Sequence, residues 1–430
     1  MRKVLSLIAG LTFLGTASAF DTMGVDQVSG YVNVGPNAGD DMFYWLFKAP
    51  QDNAPLVMWL TGGPGCASEV AVFMENGPYR FDKNHQMVAN KYSWHQYANM
   101  VFVDNPIGSG FSPAASSDDF AQTEDDVALG LHNFLKNFVV AHPEYKGRDF
   151  FITGESYAGH YIPAISYEIV VNGSDIPLNF KGAAIGNGWV NPYVQYPEYA
   201  HFAYEEKLVD EDTYHQMQTD FKTCQDLVKN SPWYEAFPFC QSIVAQVIGN
   251  PPRFNVYNIH EPCTYPPLCY DMSDPTKFCN NEDNQRQLNV KNVPQQWETC
   301  NMDVHSALMG DWTTNMAVKI PKVLEAGKKV LVYSGDFDYI CNWRGGEAWT
   351  KAVEWKRQDD FNAKDYEEWR VNGTPAGHVR QIDNFSFLRV FKAGHMVPLD
   401  QAENSLRMFR DFLHGDTQPE LVSLIAQETE

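Results

Sequence analysis

The chain is constrained most by a serine that stands between a predicted strand and a predicted helix. The apolar run 150–153 ends in the stretch 154–158, Gly-Glu-Ser-Tyr-Ala, which has Ser156 at its centre. Small residues two positions before and after a serine permit the sharp turn of a nucleophile elbow, where larger side chains do not fit. Ala158 in the second position is a mild departure from Gly-x-Ser-x-Gly. Because short Gly/Ser/Ala clusters also form ordinary turns, the rest of the chain must decide between the two interpretations.

A nucleophilic serine needs a histidine base and a carboxylate that orients the base. In enzymes with a nucleophile elbow both follow the serine along the chain, the carboxylate first, and each comes directly after a strand. The predicted strand 329–334 is followed by Asp336 and Asp338, and the predicted strand 387–392 is followed by His395. The order and the strand-end positions favour the catalytic interpretation, and either aspartate is a candidate for the orienting carboxylate.

Length, composition and charge limit the possible classes of function. The chain has 430 residues, of which 44% are hydrophobic and 14% aromatic, so it can bury a large core and fits one α/β domain with an insertion. Its formal net charge of −22, without a basic stripe, argues against nucleic acid as a partner. An acidic surface of this kind loses much of its charge in an acidic compartment.

The N-terminus has the pattern of a secretory signal peptide. A basic start at Arg2 and Lys3 precedes an apolar run to about residue 14, and the stretch 17–19, Ala-Ser-Ala, is typical of a cleavage site. The run is too short to span a bilayer, and no other apolar run is long enough. We therefore expect residues 1–19 to be removed, which leaves a soluble protein without a membrane anchor that is secreted or delivered to a lysosome or vacuole.

The cysteines indicate disulfides rather than a metal site. There are eight, the protein is predicted to enter the secretory pathway, and no Cys-x-x-Cys pair or Cys/His ligand spacing is present. Two pairs lie close in the sequence and are candidates for local bridges: Cys224 with Cys240, and Cys263 with Cys269. Four others are not paired by the sequence alone: Cys66, Cys279, Cys300 and Cys341.

Three Asn-x-Ser/Thr sequons predict N-linked glycosylation of a secretory protein. They begin at Asn172, Asn372 and Asn384. Pro375 directly follows the second sequon and makes that asparagine a poorer acceptor.

Predicted strands and helices alternate over much of the chain. The residues from Thr123 to about His142 form a long predicted helix with a capping-box pattern and one apolar face. The predicted strands around it cover 31–34 and 42–47, which form an opening antiparallel hairpin, and then 55–60, 99–104, 150–153 and 182–186. This alternation predicts an α/β fold with a mostly parallel central sheet flanked by helices.

The alternation is lost between residues 191 and 311. This segment is rich in Tyr, Pro, Asn and Gln and holds six of the eight cysteines. An insertion stapled by disulfides at the carboxyl edge of a sheet is most simply a cap over the site. The predicted organisation is therefore a core in two parts, 20–190 and 312–415, with the cap 191–311 between them and a tail 416–430 at the end.

A glycine pair follows the predicted strand 55–60, in the stretch 61–66, Thr-Gly-Gly-Pro-Gly-Cys. Backbone amides in such a loop can face a bound group, as an oxyanion hole requires. A plain Gly-Pro turn explains the same glycines, so the functional interpretation depends on their combination with Ser156.

Four stretches are specific enough in combination to carry a family resemblance. They are Trp59-Leu-Thr-Gly-Gly-Pro-Gly-Cys66, Gly154-Glu-Ser-Tyr-Ala-Gly-His-Tyr-Ile-Pro163, Gly335-Asp-Phe-Asp-Tyr-Ile-Cys-Asn-Trp343 and Ala393-Gly-His-Met-Val-Pro398. Together they resemble the serine carboxypeptidases, a family with the α/β-hydrolase fold, from about residue 29 to residue 412. The resemblance implies a lysosomal or vacuolar type of enzyme that removes C-terminal residues from peptides through an acyl-enzyme, in acid, with no metal and no organic cofactor.

The resemblance also implies roles for individual residues. Ser156 would be the nucleophile, His395 the base and Asp338, rather than Asp336, the residue that orients the base. The oxyanion hole would consist of the backbone amides of Gly63 and Tyr157.

A carboxypeptidase must hold the terminal carboxylate of its substrate, and the resemblance assigns this to Thr61, Gly62, Glu75 and Glu155. Two carboxyl groups in contact cannot both ionise cheaply, so the two glutamates should share a proton and bind a carboxylate best in acid. Thr61 is a departure, because many relatives have an asparagine there. A hydroxyl donates a single hydrogen bond and reaches less far than an amide.

The family pattern implies disulfides, a substrate pocket and one free thiol. The implied disulfides are Cys66 to Cys300, Cys224 to Cys240 and Cys263 to Cys269. The pocket would include Trp312, Ile340, Met396 and the free thiol of Cys341. Cys279 is left without a role.

Two other functions are alternatives. An acyltransferase of the same fold would pass the acyl group to a hydroxyl acceptor instead of water, and a non-catalytic protective or binding protein would keep the fold alone. The intact set of Ser156, Asp338 and His395 argues against the second alternative. The expected partner is the C-terminus of a peptide or protein, and the oligomeric state is open, with a homodimer among the alternatives.

Overall fold

The fold is built around one large sheet with helices on both of its faces. The structure is a computed structural model that describes residues 20–35, 37 and 39–415. The predicted signal peptide (1–19) and tail (416–430) lie outside the described residues.

Ten of the strands in the described residues form the large sheet, in the order β1-β2-β6-β3-β7-β8-β9-β12-β11-β10, and β4 pairs with β5 separately. The six central strands from β6 to β12 pair in parallel, and the outer strands pair antiparallel. The predictions of an opening hairpin and of a mostly parallel α/β sheet are confirmed. The strands are β1 (Gln27–Asn33), β2 (Asp41–Phe47), β3 (Leu56–Leu60), β4 (Tyr79–Phe81), β5 (Met87–Ala89), β6 (Asn99–Val103), β7 (Asp149–Glu155), β8 (Asn179–Gly186), β9 (Lys329–Gly335), β10 (Glu367–Val371), β11 (Thr374–Ile382) and β12 (Phe385–Val390).

Helices pack against both faces of the sheet. The helices of the described residues are α1 (Glu69–Met74), α2 (Glu124–Ala141), α3 (Ala158–Asn172), α4 (Pro192–Gln195), α5 (Glu198–Glu205), α6 (Glu211–Asn230), α7 (Trp233–Ile248), α8 (Ser273–Cys279), α9 (Glu282–Gln287), α10 (Met302–Ala307), α11 (Ile320–Glu325), α12 (Trp343–Ala352), α13 (Gln358–Ala363), α14 (Val397–Asp400) and α15 (Ala402–His414). The long helix α2 has the predicted capping box between Thr123 and Asp126.

Two hydrophobic cores lie on opposite faces of the sheet. Along β3, Met58 belongs to the core that contains α2 and α3, whereas its neighbours Val57 and Trp59 belong to the core that contains α15. This division follows from the alternation of side chains along a strand. All five residues of β3 are buried, as expected for a central parallel strand.

The insertion 191–311 is mostly helical. Its helices α6 and α7 are joined by the disulfide Cys224–Cys240, and a second disulfide, Cys263–Cys269, closes a short loop in the irregular segment after α7. The third disulfide, Cys66–Cys300, spans 234 residues and ties the end of the insertion to the loop after β3. These are the pairings that the family resemblance implied. Cys279 and Cys341 are free and buried.

Candidate active site

The parallel register brings the ends of five strands to one edge of the sheet. Gly154 pairs with Leu60, and Gly186 pairs with both Glu155 and Tyr333. Because the carboxyl ends of parallel strands meet at a common edge, the loops after these strands lie side by side. The residues that these loops carry to the edge are Thr61, Ser156, Asn187, Asp338 and His395.

Ser156 lies in a sharp turn between a strand and a helix. β7 ends at Glu155 and α3 begins at Ala158, so two residues make the turn. Ser156 has a φ of 67°, a left-handed conformation that is costly for a residue with a side chain. Its N–H donates to the carbonyl of Gly186 (3.0 Å), which holds the turn against β8. This geometry fits the nucleophile elbow rather than an ordinary turn.

The loop after β3 comes close to this turn, and Gly62 is what permits the approach. A Cβ at position 62 would lie 2.8 Å from the Ser156 Cβ and would collide with the backbone nitrogen of Tyr157. A glycine is therefore required for packing at this position. The contact places the predicted oxyanion-hole loop, with Gly63, against the predicted second donor, Tyr157.

Asp338 and His395 form a buried hydrogen-bonded pair. His395 Nδ1 lies 2.8 Å from Asp338 Oδ2, and the two side chains are 3% and 0% exposed. Asp336, the other candidate, instead accepts from the N–H of Lys392 (2.7 Å) and forms an ion pair with Arg389. The structure therefore separates the two aspartates that the sequence left open.

Asn187, for which no role was predicted, also holds Asp338. Its Nδ2 donates to Asp338 Oδ2 at 2.8 Å, and its Oδ1 accepts from the N–H of Gly335 at 3.3 Å. The backbone N–H of Ile340 donates to Asp338 Oδ1 at 3.0 Å. These donors stabilise a carboxylate without any exposure to water, and they fix its second oxygen toward His395.

Glu75 and Glu155 form a buried carboxyl pair beside His395. Their carboxyl groups are in hydrogen-bonding contact, and Glu155 Oε1 lies 3.9 Å from His395 Nε2. Burial raises the pKa of Glu75 to about 7 and holds the pKa of Glu155 well above its usual range. Apart from this shared contact, Oε2 of each glutamate has no hydrogen-bond partner among the described residues.

Thr61 is arranged to donate a hydrogen bond. Its Oγ1 accepts from the indole N–H of Trp59 at 3.0 Å. A threonine hydroxyl has one hydrogen to donate and two lone pairs, so this contact leaves the hydrogen available for a ligand. Thr61 lines the same cavity as the carboxyl pair.

A cavity of about 470 Å³ opens beside Ser156 and lies between the sheet edge and the insertion. The sheet edge contributes the polar residues Thr61, Glu155, Ser156 and His395, and the C-terminal end of α1 contributes Glu75. The insertion contributes a largely apolar wall of Tyr257, Pro267, Leu268, Tyr270, Met272 and Met302. The insertion therefore covers the candidate site.

Of the four residues predicted for the substrate pocket, Met396 lines this cavity and the other three lie outside it. The Trp312 ring stacks on Tyr157, with 5.4 Å between ring centroids. The Ile340 carbonyl accepts from the hydroxyl of Tyr199, and the Cys341 N–H donates to Asp338 Oδ2 at 3.3 Å. Trp312 therefore packs beside Ser156, on its neighbour Tyr157, and Ile340 and Cys341 lie next to Asp338. All three lie outside the cavity. Burial raises the pKa of the Cys341 thiol well above its usual value.

The three sequons differ in accessibility. Asn172 and Asn372 are exposed. Asn384 lies between β11 and β12, and its Nδ2 donates to the carbonyls of Leu324 (3.1 Å) and Lys328 (2.6 Å). Both amide hydrogens of Asn384 are thus used within the protein, and glycosylation of the three asparagines stays a prediction.

Neither a membrane-spanning helix nor a metal site is found among the described residues. No helix in the described part of the chain is long and apolar enough to cross a membrane. Among the same residues, no group of three or more His, Cys, Asp or Glu side chains is arranged to hold a metal ion.

Comparison with known proteins places this site in a family. The sequence profile of the serine carboxypeptidases matches residues 19–415. The chain belongs to the serine carboxypeptidase family. It is a hydrolase of the serine carboxypeptidase type, as the resemblance predicted.

Relatives agree with this assignment, and a solved structure shares the fold. The enzyme is 37% identical over 397 residues to serine carboxypeptidase-like 47 of Arabidopsis thaliana, which covers 90% of this chain and 78% of the relative. It is 37% identical over 411 residues to serine carboxypeptidase 3 of rice, Oryza sativa subsp. japonica, covering 93% and 81% of the two chains. The crystal structure of Kex1(delta)p, a prohormone-processing carboxypeptidase from Saccharomyces cerevisiae, superposes with a TM-score of 0.81 at 24% identity and covers 90% of this chain and 91% of that one. The last similarity concerns the fold.

Proposed function

We propose that the enzyme releases single C-terminal residues from peptides through an acyl-enzyme on Ser156. Ser156 Oγ attacks the carbonyl carbon of the last peptide bond, while His395 takes the hydroxyl proton and then gives it to the leaving amine. Asp338 orients His395 and stabilises the imidazolium. The backbone amides of Gly63 and Tyr157 bind the oxyanion. Water, deprotonated by His395, then attacks the acyl-enzyme and frees Ser156.

The observation that carries the exopeptidase part is the buried carboxyl pair in the cavity. Glu75 and Glu155 share a contact and each has an Oε2 without another partner among the described residues. A protonated carboxyl group there donates a hydrogen bond to the terminal carboxylate of the substrate, and Thr61 supplies a second donor. Because burial raises the pKa of both carboxyl groups, to about 7 for Glu75, the pair keeps its protons in acid and loses them as the pH rises, and the ionised pair then repels that carboxylate. Activity should therefore be favoured in acid.

The apolar wall of the insertion supports a preference for the released residue. Leu268, Met272 and Met302, all from the insertion, line the cavity. A C-terminal residue whose carboxylate is held by Glu75 and Glu155 places its side chain against this wall. We therefore expect large apolar C-terminal residues to be released faster than small or charged ones.

The predicted compartment is part of the proposal. Three disulfides are expected of a protein that folds in an oxidising compartment, and an acid-favoured carboxyl pair suits a lysosome or vacuole, although secretion remains an alternative.

The test compares N-blocked dipeptides with a free terminal carboxylate and the same dipeptides amidated, from pH 4 to 8. We expect kcat/KM to favour the free carboxylate in acid and the preference to fall by about tenfold or more in Glu155→Ala, since this variant has no side-chain donor at position 155 and one hydrogen bond to a charged group is lost. Equal rates on both substrates at every pH would contradict the proposal that Glu75, Glu155 and Thr61 bind the terminal carboxylate. Reaction of Ser156 with a serine-directed inhibitor, without turnover of either dipeptide, would favour the acyltransferase.

A further inference from the structure

A short segment of the insertion contacts both loops that carry Asp338 and His395. We call residues 254–261 the strap. On the aspartate side, the carbonyl of Val256 accepts from the N–H groups of Tyr339 and Ile340, each at 3.1 Å. The N–H of Ile259 donates to the carbonyl of Phe337 at 2.9 Å. The strap thus brackets Asp338 from both of its neighbours.

On the histidine side, the strap reaches the backbone and the ring of His395. The N–H of His395 donates to the carbonyl of Tyr257 at 2.7 Å, and the two rings lie 5.1 Å apart between centroids. Gly394 approaches so closely that a Cβ there would lie 2.8 Å from the Cβ of Asn258 and would collide with the Tyr257 carbonyl. The strap and the histidine loop are therefore packed backbone against backbone.

One side-chain contact completes this connection. Asn258 is 6% exposed, and its Nδ2 donates to Asp400 Oδ2 at 3.1 Å. The same Asp400 oxygen accepts from the N–H of Gly394 at 2.6 Å, directly before His395. Asn258 Oδ1 accepts from the N–H of His260 at 3.1 Å, which fixes the orientation of the amide.

We propose that Asn258 is a positioning residue, which holds the His395 loop in register with Asp338 through the carboxylate of Asp400. The inference rests on the proposed function, in which His395 must stay aligned with both Ser156 and Asp338. A misplacement of about 1 Å in such an alignment costs on the order of 100-fold in rate. The insertion is then part of the catalytic framework as well as a cover over the cavity.

The charges around Asp400 make the contact sensitive to a change of charge at position 258. The acidic groups that face it are Glu261 on the strap, Asp338, and the pair Glu75 and Glu155, and the Tyr270 hydroxyl is also near. Burial raises the pKa of Asp400 to about 6, against the hydrogen bonds from Gly394 and Asn258. In Asn258→Asp two carboxyl groups meet, and they can share a hydrogen bond only while one of them is protonated.

The test measures the rate of Ser156 labelling by diisopropyl fluorophosphate from pH 4.5 to 8, which requires the base but no peptide. We expect Asn258→Ala to label about 10- to 100-fold more slowly than the unaltered enzyme at every pH. Asn258→Asp should approach the unaltered rate at pH 4.5 and fall toward the alanine variant by pH 8. With a blocked dipeptide, kcat should fall while KM changes less than about twofold. Asn53→Asp adds the same charge at an exposed position before β3 and should leave the labelling unchanged.

The outcomes separate this inference from the proposed function. The inference would be overturned if Asn258→Ala labelled at the unaltered rate. It would also be overturned if both Asn258 variants kept the same labelling rate, relative to the unaltered enzyme, at every pH. Neither result would count against Ser156 as the nucleophile. Since the fold itself is expected to be more stable in acid, circular dichroism of Asn258→Asp must show the same folded fraction at pH 4.5 and 8, so that recovery of labelling in acid reports the contact with Asp400 and not refolding. Failure of the unaltered enzyme to label at Ser156 would refute the proposed function, and the inference would fall with it.

Discussion

The two walls of the cavity are built in different ways. The sheet edge carries Ser156, Glu155 and His395, whose positions follow from the register of parallel strands. The insertion carries an apolar surface that includes Leu268 and Met272, held by disulfides and irregular turns. Catalytic residues on a rigid sheet edge tolerate little displacement. The sequence of a covering segment can vary more freely and can determine which substrates bind. Changes at the sheet edge should therefore abolish the reaction, and changes on the apolar wall should alter its preference.

The largest effect is expected at the aspartates after β9. Asp338→Asn should lower kcat by about 10⁴-fold, because an amide favours the wrong tautomer of His395. Asp336→Asn, two residues away and bonded to Lys392 instead, should lower kcat by less than about tenfold. Steady-state kinetics on one blocked dipeptide measures both. Similar losses in the two variants would show that the sheet edge does not distinguish these residues.

The next effect concerns Asn187, a residue for which no role was predicted. Asn187→Ala removes a hydrogen bond to the buried carboxylate of Asp338, so kcat should fall by about 10- to 100-fold. Asn179→Ala is a matched control. Asn179 is the first residue of β8, the strand that ends just before Asn187, and it donates to the exposed Asp149 at the end of the strand away from the candidate site. The control should keep full activity. If both variants were fully active, Asn187 would have no part in holding the pair.

A smaller effect is expected on the insertion wall. Leu268→Ala should lower kcat/KM for a dipeptide ending in leucine or phenylalanine by about tenfold relative to one ending in alanine, with little change in kcat for the latter. Val140→Ala shortens an apolar side chain that is 79% exposed on α2 and should leave the ratio unchanged. An equal loss on all substrates would mean that the wall contributes to the chemistry and not to selection.

The smallest effect is on stability. Burial raises the pKa of several carboxyl groups, to about 7 for Glu198 and about 6 for Asp104. Between their ordinary pKa and the raised value the folded state binds more protons than the unfolded state, so stability increases as the pH falls from 8 toward 5.5. His160 acts in the opposite direction, since burial lowers its pKa to about 4 and the unfolded chain gains the proton first below about pH 6.5.

Calorimetry at pH 5.5 and 8 should therefore give a Tm that is higher in acid by about 2 °C or more. Glu124→Gln removes one buried carboxyl group with a raised pKa and should reduce this difference. A Tm that is higher at pH 8 would contradict the sign of these shifts.

The sequence predicted the sheet edge better than it predicted the insertion. Strand ends could be located because an apolar run followed by glycine, serine or asparagine marks where a buried strand leaves the core. The link between Cys66 and Cys300 could not be derived from spacing, since 234 residues separate the two cysteines and the fold brings them together. The insertion helices pack on one another and on helices of the core, as α6 does on α7 and α5 on α12, and local sequence patterns do not contain these contacts.

Asn187 shows a second limit. An asparagine after a strand looks like any turn residue. Its importance depends on β8 lying between β7 and β9, so that it stands beside the loop of Asp338. Likewise, the choice between Asp336 and Asp338 depended on which side chain meets His395, which the family resemblance indicated and spacing did not.

The most direct test of Ser156 as the nucleophile is to trap the acyl-enzyme. An N-blocked dipeptide ester would be mixed with the enzyme, quenched in acid within milliseconds, and digested with trypsin for mass spectrometry. We expect the added acyl mass on the peptide 149–181, at Ser156, and its absence in Ser156→Ala. Turnover with no acylated peptide, or with the acyl group on another residue, would contradict the assignment of Ser156 as the nucleophile.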